Sequence, residues 1–398
     1  MTTKLLTDPG EAGSILKNGG LVAVPTETVY GLAANALDES AVARLYEVKG
    51  RPERKPMPVM VSGEGAMDRL CLDVPRAASA LAEAFWPGPL TLVLRARDGL
   101  PDIVRAGGDT LGLRCPRHAL TLKLLQTADL PLAVPSANPS GLPSPGSAAD
   151  VLAYFDGKID AVLDGGPCEL GEPSTLLDLT ARPYRVLRQG ALSEAEIRAA
   201  LSNALTVIGL TGGSGVGKTT ALQVLRDMGA LPVDADGVYH RLLDKDAALL
   251  SELKARFPAA FEAGTLDRKA LGRIVFSDPD ELRDLNRITH KYVQAALRLD
   301  LEDWAMSGGE TVAVDAVALI ESGIWRRCDA VVGVLAPGEA RIRRVVEREG
   351  VSEDYARLRL KAQRSDEFYR ERCDYILENN GNLETFLKKC RALFHEIL

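Results

Sequence analysis

The chain has 398 residues, 46% of them hydrophobic and 26% charged, with a formal net charge of -7. That length exceeds what one hydrophobic core serves, so two domains of about 200 residues each are expected. The acidic balance excludes a polycation that coats nucleic acid or membrane by bulk electrostatics, and the composition excludes whole-chain disorder.

Residues 1–20 lack the basic-then-apolar order of a secretion signal, and no apolar run approaches the ~20 residues that span a bilayer, so a cytoplasmic location is expected. The six cysteines, Cys71, Cys115, Cys168, Cys328, Cys373 and Cys390, lie far apart without a C-x-x-C pair, the pattern of reduced packing thiols.

In the first half, short apolar segments at Leu21 to Val24, Leu90 to Leu94, Leu111 to Arg114 and Pro131 to Val134 read as strands alternating with helices, a mixed α/β layer fold. The first strand runs into Pro25-Thr26-Glu27-Thr28-Val29-Tyr30-Gly31, which places two hydroxyls and a phenol at its mouth. A helix capped by Asp38, with Val42 and Leu45 on its apolar face, stops at Gly50 and Pro52. Lys49 then sits at a helix end facing a loop. From Lys49 to Lys55 the sequence holds four cations in seven residues on a Gly- and Pro-broken turn, suited to a polyphosphate but equally a common solvated surface. Pro135-Ser136-Ala137-Asn138 follows the last strand with short polar side chains, either ligand holders or a self-capping turn.

Together these segments resemble the threonylcarbamoyl-AMP synthase (YrdC-like) family, which carries a K-x-R…S-x-N signature, here Lys49, Arg51, Ser136 and Asn138. Phe85-Trp86-Pro87-Gly88-Pro89-Leu90-Thr91, Leu113-Arg114, Pro173-Ser174-Thr175 and Val186-Leu187-Arg188-Gln189-Gly190 extend the likeness over Leu5 to Gly190. The resemblance implies condensation of L-threonine, bicarbonate and ATP to threonylcarbamoyl-adenylate with loss of pyrophosphate, for a tRNA adenosine modification, with tRNA-modification proteins as partners. It places Lys49, Arg51 and Lys55 on the departing pyrophosphate, Arg114 and Arg188 on other phosphate or carboxylate oxygens, Thr28 and Tyr30 on the threonine side, and Ser136, Asn138 and Ser174 on the nucleotide.

Near Gly190 the character changes. A capping box, Ser193 with Glu196, opens an Ala-rich helix, and the domain boundary is expected near Asn203, giving domains at 1–203 and 204–398. A strand from Thr206 to Leu210 then meets Gly212-Gly213-Ser214-Gly215-Val216-Gly217-Lys218-Thr219, a G-x-x-x-x-G-K-[ST] loop, followed by a helix with Ala221, Leu225 and Met228 on one face. Such a loop turns backbone N–H groups onto phosphate oxygens, with Lys218 on the β and γ phosphates and Thr219 on Mg²⁺. The rest alternates strands and helices in the manner of a doubly wound parallel sheet. A strand from Ala230 to Val233 ends in Asp234-Ala235-Asp236, where an acceptor hydroxyl needs a base or a helix needs a cap. Arg341, Arg344 and Arg348 share one helix face, either a phosphate clamp or a solvated row paired with Glu347 and Glu349.

The loop, Val233 to Asp236, Thr289-His290, Val314-Asp315 through Glu321, Ala362-Gln363 and Cys373 to Asn379 resemble dephospho-coenzyme A kinase over Thr206 to Leu398. The resemblance implies transfer of the ATP γ-phosphate to the 3′-hydroxyl of dephospho-coenzyme A, with Asp236 as base and Lys218 as catalytic cation. It assigns ATP to Gly213, Ser214, Gly215, Val216, Gly217, Lys218, Thr219, Thr220, Arg344 and Arg348, and the acceptor to His290 and Glu321. Val317-Ala318 in place of Pro-Leu, and Lys291 in place of Pro, depart from the family pattern at the acceptor side. The expectation is a bifunctional enzyme using ATP and Mg²⁺, with neither membrane nor DNA as partner. Two alternatives are a non-catalytic RNA-binding first half and a kinase of another small metabolite.

Overall fold

The computed structural model describes residues 2–52, 55–262, 264–316, 319–321, 323–361 and 363–398, without the side chains of residues 235, 236, 240, 276 and 277. It divides into two compact units, Met1–Ala204 with Met306–Gly308, and Leu205–Ala305 with Gly309–Leu398.

The first unit is built on a mixed sheet that combines parallel and antiparallel strand pairs. Its strand order is Lys4–Leu6, Ala161–Leu163, Val22–Val24, Gly31–Asn35, Leu132–Ala133, Val59–Met60, Thr110–Arg114, Leu90–Ala96, Thr175–Asp178 and Arg185–Arg188. The helices Pro9–Lys17 and Ala119–Ala128 bury Leu16, Leu124 and Leu125 against Val22, Val24 and Leu163 of this sheet. The Glu39–Lys49 helix forms as its ends dictate. Asp38 accepts from the N–H groups of Ser40 and Ala41, and Gly50 takes the left-handed conformation, φ 55°, that closes the last turn. The capping box of Ser193 and Glu196 is formed in full at the Glu194–Asn203 helix.

The second unit holds a five-stranded sheet, ordered Leu231–Asp234, Thr311–Asp315, Thr206–Thr211, Ala330–Leu335 and Tyr375–Glu378. Every pair in it is parallel. Parallel sheets of this kind are covered on both faces by crossover helices, so their strands are almost wholly apolar. The Lys218–Asp227 and Leu383–Ile397 helices contribute Ala221, Val224, Leu225, Phe386, Cys390 and Phe394 to the core around Ile208, Leu210, Val332 and Val334. Truncating a side chain as buried as Phe386, 1% exposed, costs about 3–5 kcal/mol. A separate helical cluster centres on Leu249, Leu253, Phe257, Leu285 and Ile288.

The second strand of this unit starts and ends one residue later than its apolar run suggests. It runs Leu231–Asp234, and the Ala235–Lys245 helix begins at once, with Asp234 as its cap accepting from the Gly237 N–H. Asp236 therefore lies in the first helical turn rather than at the strand end.

Candidate active sites

In the second unit the Thr206–Thr211 strand, central in its sheet, delivers the 212–217 loop to the start of the Lys218–Asp227 helix. Gly212 has φ 138°, and a Cβ there would lie 2.4 Å from the Val334 carbonyl oxygen, so no other residue fits. Gly217, φ 108°, opens the helix, and a Cβ on it would meet the Asn379 amide at 2.5 Å.

The loop's peptides are oriented from outside. Arg341 Nε donates to the Ser214 carbonyl at 3.1 Å, Arg344 Nη1 to Gly215 at 3.0 Å, and Asn379 Nδ2 to Val216 at 2.8 Å. In a trans peptide the C=O and N–H point opposite ways. Drawing three carbonyls towards these side chains therefore turns the N–H groups of Gly215, Val216 and Gly217 to the other side, forming an anion nest at the positive end of a helix. Lys218 Nζ donates to the Gly212 carbonyl at 2.8 Å and has to leave it to reach a phosphate. Thr219 is exposed in the first turn and Thr220 is half-buried beside it.

Two of the three aligned arginines converge on the loop and the third does not. Arg341 and Arg344 hold it, whereas Arg348, with 58% of its side chain exposed, pairs with Glu349 at 2.5 Å. Arg348 lies in the last turn of the Gly338–Glu349 helix. His290 is exposed on the long Pro279–Met306 helix, and Glu321 accepts from Arg364 Nε at 3.2 Å. Strand register sets Asp315 opposite both Leu210 and Asp234, so carboxylates end the strands beside the phosphate loop. The Asp236 side chain, Val317 and Ala318 fall outside the described residues. Arg341, Gln363 and Asn379 were not singled out as ligands of the loop from sequence, because their contacts cross more than 120 residues.

In the first unit the Thr26–Tyr30 turn and the 135–138 turn lie side by side. The N–H groups of Leu32 and Ala137 donate to the carbonyls of Pro135 and Tyr30, and Gly31 bridges Ser136. Lys49 does not face an open loop. It is 3% exposed, and Nζ donates to the carbonyls of Ser136 and Asn138 while its own carbonyl accepts from Ser140 N–H. Burial first, and then the charge of Arg51, push its amine down to about 7. Asn138 gives its amide hydrogens to the carbonyls of Pro139 and Leu142, leaving Oδ1 buried with no hydrogen-bond partner. That turn is self-capped and still presents one open acceptor.

Arg114, 5% exposed at the end of the Thr110–Arg114 strand, donates to Gly88 O and Thr28 Oγ1 and stands 2.9 Å from Glu27 Oε1. Arg188 brackets Ser174 through its carbonyl and hydroxyl, and Ser174 also meets Thr91 Oγ1 at 2.8 Å. Burial, followed by the charges of Arg114 and Arg51, holds the Arg188 guanidinium below its ordinary value. Lys49, Arg51, Arg114 and Arg188 thus share one electrostatic neighbourhood. Like charges held together against repulsion and desolvation mark a site completed by an anion. Arg51 meanwhile donates to the carbonyls of Lys55 and Pro56, shaping the turn on which it sits.

Lys55 and Tyr30 engage neighbours within the first unit. Lys55 is exposed and contributes its carbonyl to the turn. Tyr30 is fully buried, and its phenol, raised to about 12 chiefly by burial, donates to the Gly166 carbonyl at 2.8 Å. Glu27, which balances Arg114 and accepts from the Arg117 N–H, was missed because nothing local in the sequence distinguishes a buried counter-charge from a surface one.

The first half matches the Sua5/YciO/YrdC family model, described as telomere recombination, over residues 14–190, and the second half matches the dephospho-CoA kinase model over residues 206–385. Over 186 residues the chain is 47% identical to the threonylcarbamoyl-AMP synthase of Pyrococcus abyssi, covering 47% of this chain and 55% of that protein. It is 41% identical over 183 residues to the putative threonylcarbamoyl-AMP synthase of Mycobacterium tuberculosis, covering 46% of this chain and 83% of that protein. It is 36% identical over 191 residues to the dephospho-CoA kinase of Thermus thermophilus, covering 48% of this chain and 91% of that protein. The chain spans a little over half the length of several of the synthase relatives it matches.

Proposed function

Because the chain belongs to the Sua5/YciO/YrdC family over residues 14–190 and to the dephospho-CoA kinase family over residues 206–385, we propose that it is a bifunctional enzyme. The second unit transfers the γ-phosphoryl group of ATP to the 3′-hydroxyl of dephospho-coenzyme A. The first unit makes threonylcarbamoyl-adenylate for tRNA modification.

In the kinase, the amides of Gly215, Val216 and Gly217 and the helix start receive phosphate oxygens, and Lys218 exchanges the Gly212 carbonyl for the β and γ phosphates. Arg341 and Arg344 add positive charge behind the loop. Asp236 takes the hydroxyl proton as the acceptor oxygen attacks phosphorus, and His290 and Glu321 serve the acceptor side. The Thr219 hydroxyl, exposed in the first helical turn, would hold Mg²⁺, which would supply neutralisation of the developing phosphate charge.

In the synthase, threonine amine and bicarbonate give an N-carboxylate with loss of water. Its oxygen attacks the α-phosphorus, and the bond to pyrophosphate breaks. Arg51 and Lys49 stabilise the charge gathering on pyrophosphate, and Arg114 and Arg188 hold other anionic oxygens. Asn138 Oδ1 is the open acceptor for a nucleotide N–H or O–H. Thr28 is tied to the threonine side through Arg114. Tyr30 secures the 164–166 turn beneath it.

The observation that carries the synthase reading is the grouping of two buried cations, Lys49 and Arg114, with the half-buried Arg51 and the exposed Arg188 in one electrostatic neighbourhood. Lys49 and Arg114, 3% and 5% exposed, are out of reach of a tRNA backbone, which favours a small polyanion over the RNA-binding alternative. The test is the purified chain with ATP and Mg²⁺, scored separately for coenzyme A from dephospho-coenzyme A and for threonine- and bicarbonate-dependent pyrophosphate. Both products are expected. Salt-sensitive RNA binding without threonine-dependent pyrophosphate would replace the synthase reading by the RNA-binding one.

A further inference from the structure

Gln363 lies just beyond the Glu353–Lys361 helix, which pairs with the Gly338–Glu349 helix through Ile342, Val345 and Ala356. Exposed ion pairs reinforce that pairing, Arg357 with Glu339 at 2.9 Å and Arg359 with Glu349 at 2.5 Å. From this position the Gln363 amide spans residue 214 completely. Oε1 accepts from the Ser214 N–H at 2.9 Å, and Nε2 donates to Ser214 Oγ at 2.8 Å. The same Oε1 accepts from Arg341 Nη2 at 2.8 Å, while Arg341 Nε holds the Ser214 carbonyl. The fit leaves no spare volume, since a Cβ on Gly213 would stand 2.6 Å from Gln363 Oε1.

We propose that Gln363 is a positioning residue for the phosphate loop, fastening the helix pair that carries Arg341 and Arg344 to Ser214 so that loop and arginines meet a nucleoside triphosphate already in register. The inference rests on the kinase reading of this unit. It follows from the donor inventory: a neutral amide supplies one acceptor and one donor to opposite sides of a single residue without adding charge beside the phosphates. A carboxylate keeps the acceptor but adds a negative charge. An aliphatic side chain loses both bonds.

The experiment compares the full chain with Gln363→Leu and Gln363→Glu. In Gln363→Leu the ligand-free Ser214 amide should exchange with solvent on the order of tenfold faster. Its kcat for coenzyme A formation should fall on the order of tenfold or more, with KM for ATP within about threefold of the parent, as expected when placement rather than binding is lost. Gln363→Glu should keep more of kcat and instead raise KM for ATP through repulsion. Threonine-dependent pyrophosphate release should be unchanged in both. Unchanged Ser214 exchange in Gln363→Leu overturns the proposal, as does a kcat within about twofold of the parent or a loss that disappears on cooling in step with a lowered Tm. If the parent itself makes no coenzyme A, the kinase reading falls, and Ser214 exchange with an ATP titration of the two variants still decides the role of Gln363.

Discussion

The two regions proposed to handle phosphate solve one electrostatic problem with opposite materials. The 212–217 loop uses backbone N–H groups at a helix start, with Lys218 as the first helical residue. The other region uses side-chain cations, with Lys49 as the last residue of its helix, where the dipole favours positive charge. Backbone amides do not titrate and need little burial to be aimed; clustered cations must be desolvated and crowded to be specific. The lowered amine of Lys49 and guanidinium of Arg188 express that cost. The contrast implies that the kinase depends on backbone shape and the synthase on charge state.

Separate sites are the first thing to break. Lys218→Ala should lower coenzyme A formation by on the order of 1000-fold and leave pyrophosphate release from ATP and threonine intact. Arg51→Ala should do the converse. Loss of both activities from either change would mean that the chain has one shared site. Shape dependence is tested at Gly212. Gly212→Ala places a methyl group into the Val334 carbonyl at a φ of 138°. It should therefore remove kinase turnover and destabilise the second unit by a few kcal/mol, read by chemical denaturation, with the synthase unaffected.

What was legible in the sequence was what short-range chemistry decides. The glycine loop, the Asp38 and Gly50 helix ends and the Ser193–Glu196 box each follow from residues a few positions apart, and each is present. The alternation of strands and helices likewise disclosed a mixed first fold and a parallel second one. Tertiary partners were not legible. Arg348 shares a helical face with Arg341 and Arg344, yet periodicity does not say where along the helix the neighbouring loop ends. Lys49 reads as a loop-facing cation, but the 136–140 turn that buries it arrives about 90 residues later, which only the strand order brings about. The partners of Glu27, Gln363 and Asn379 escaped for the same reason.

Charge dependence predicts different pH responses. Raising pH through about 7 removes the Lys49 proton in the free enzyme. Synthase kcat/KM for ATP should then fall, roughly tenfold per unit once the group is mostly neutral if the cation is required, while kinase kcat/KM shows no loss from this cause. Bound triphosphate favours the charged amine, so kcat should be affected less than kcat/KM. Stability runs the other way. Between about 7 and 10.5 the unfolded chain retains a proton that the folded chain has lost, so the first unit gains stability as pH rises through that window and carries the full desolvation cost below it. A synthase profile flat from pH 6 to 9, or one unchanged in Lys49→Arg, would remove Lys49's charge from the comparison.

The smallest effect addresses what holds Lys49 in place. Asp38 caps the Glu39–Lys49 helix by accepting from the N–H groups of Ser40 and Ala41 at 3.0 and 3.1 Å. Asp38→Ala should cost about 1 kcal/mol, seen as a fall in Tm of a few degrees. At the far end of the same helix, Lys49 is fastened through Nζ to Ser136 and Asn138 and through its carbonyl to Ser140. Those bonds are independent of the cap, so the KM for ATP of the synthase should stay within about twofold of the parent despite the lost stability. A KM that rises with the fall in Tm would show that the helix, not the 136–140 turn, aims the amine. The cation site would then share with the phosphate loop a dependence on local backbone order, and the distinction between a shape-built and a charge-built site would narrow accordingly.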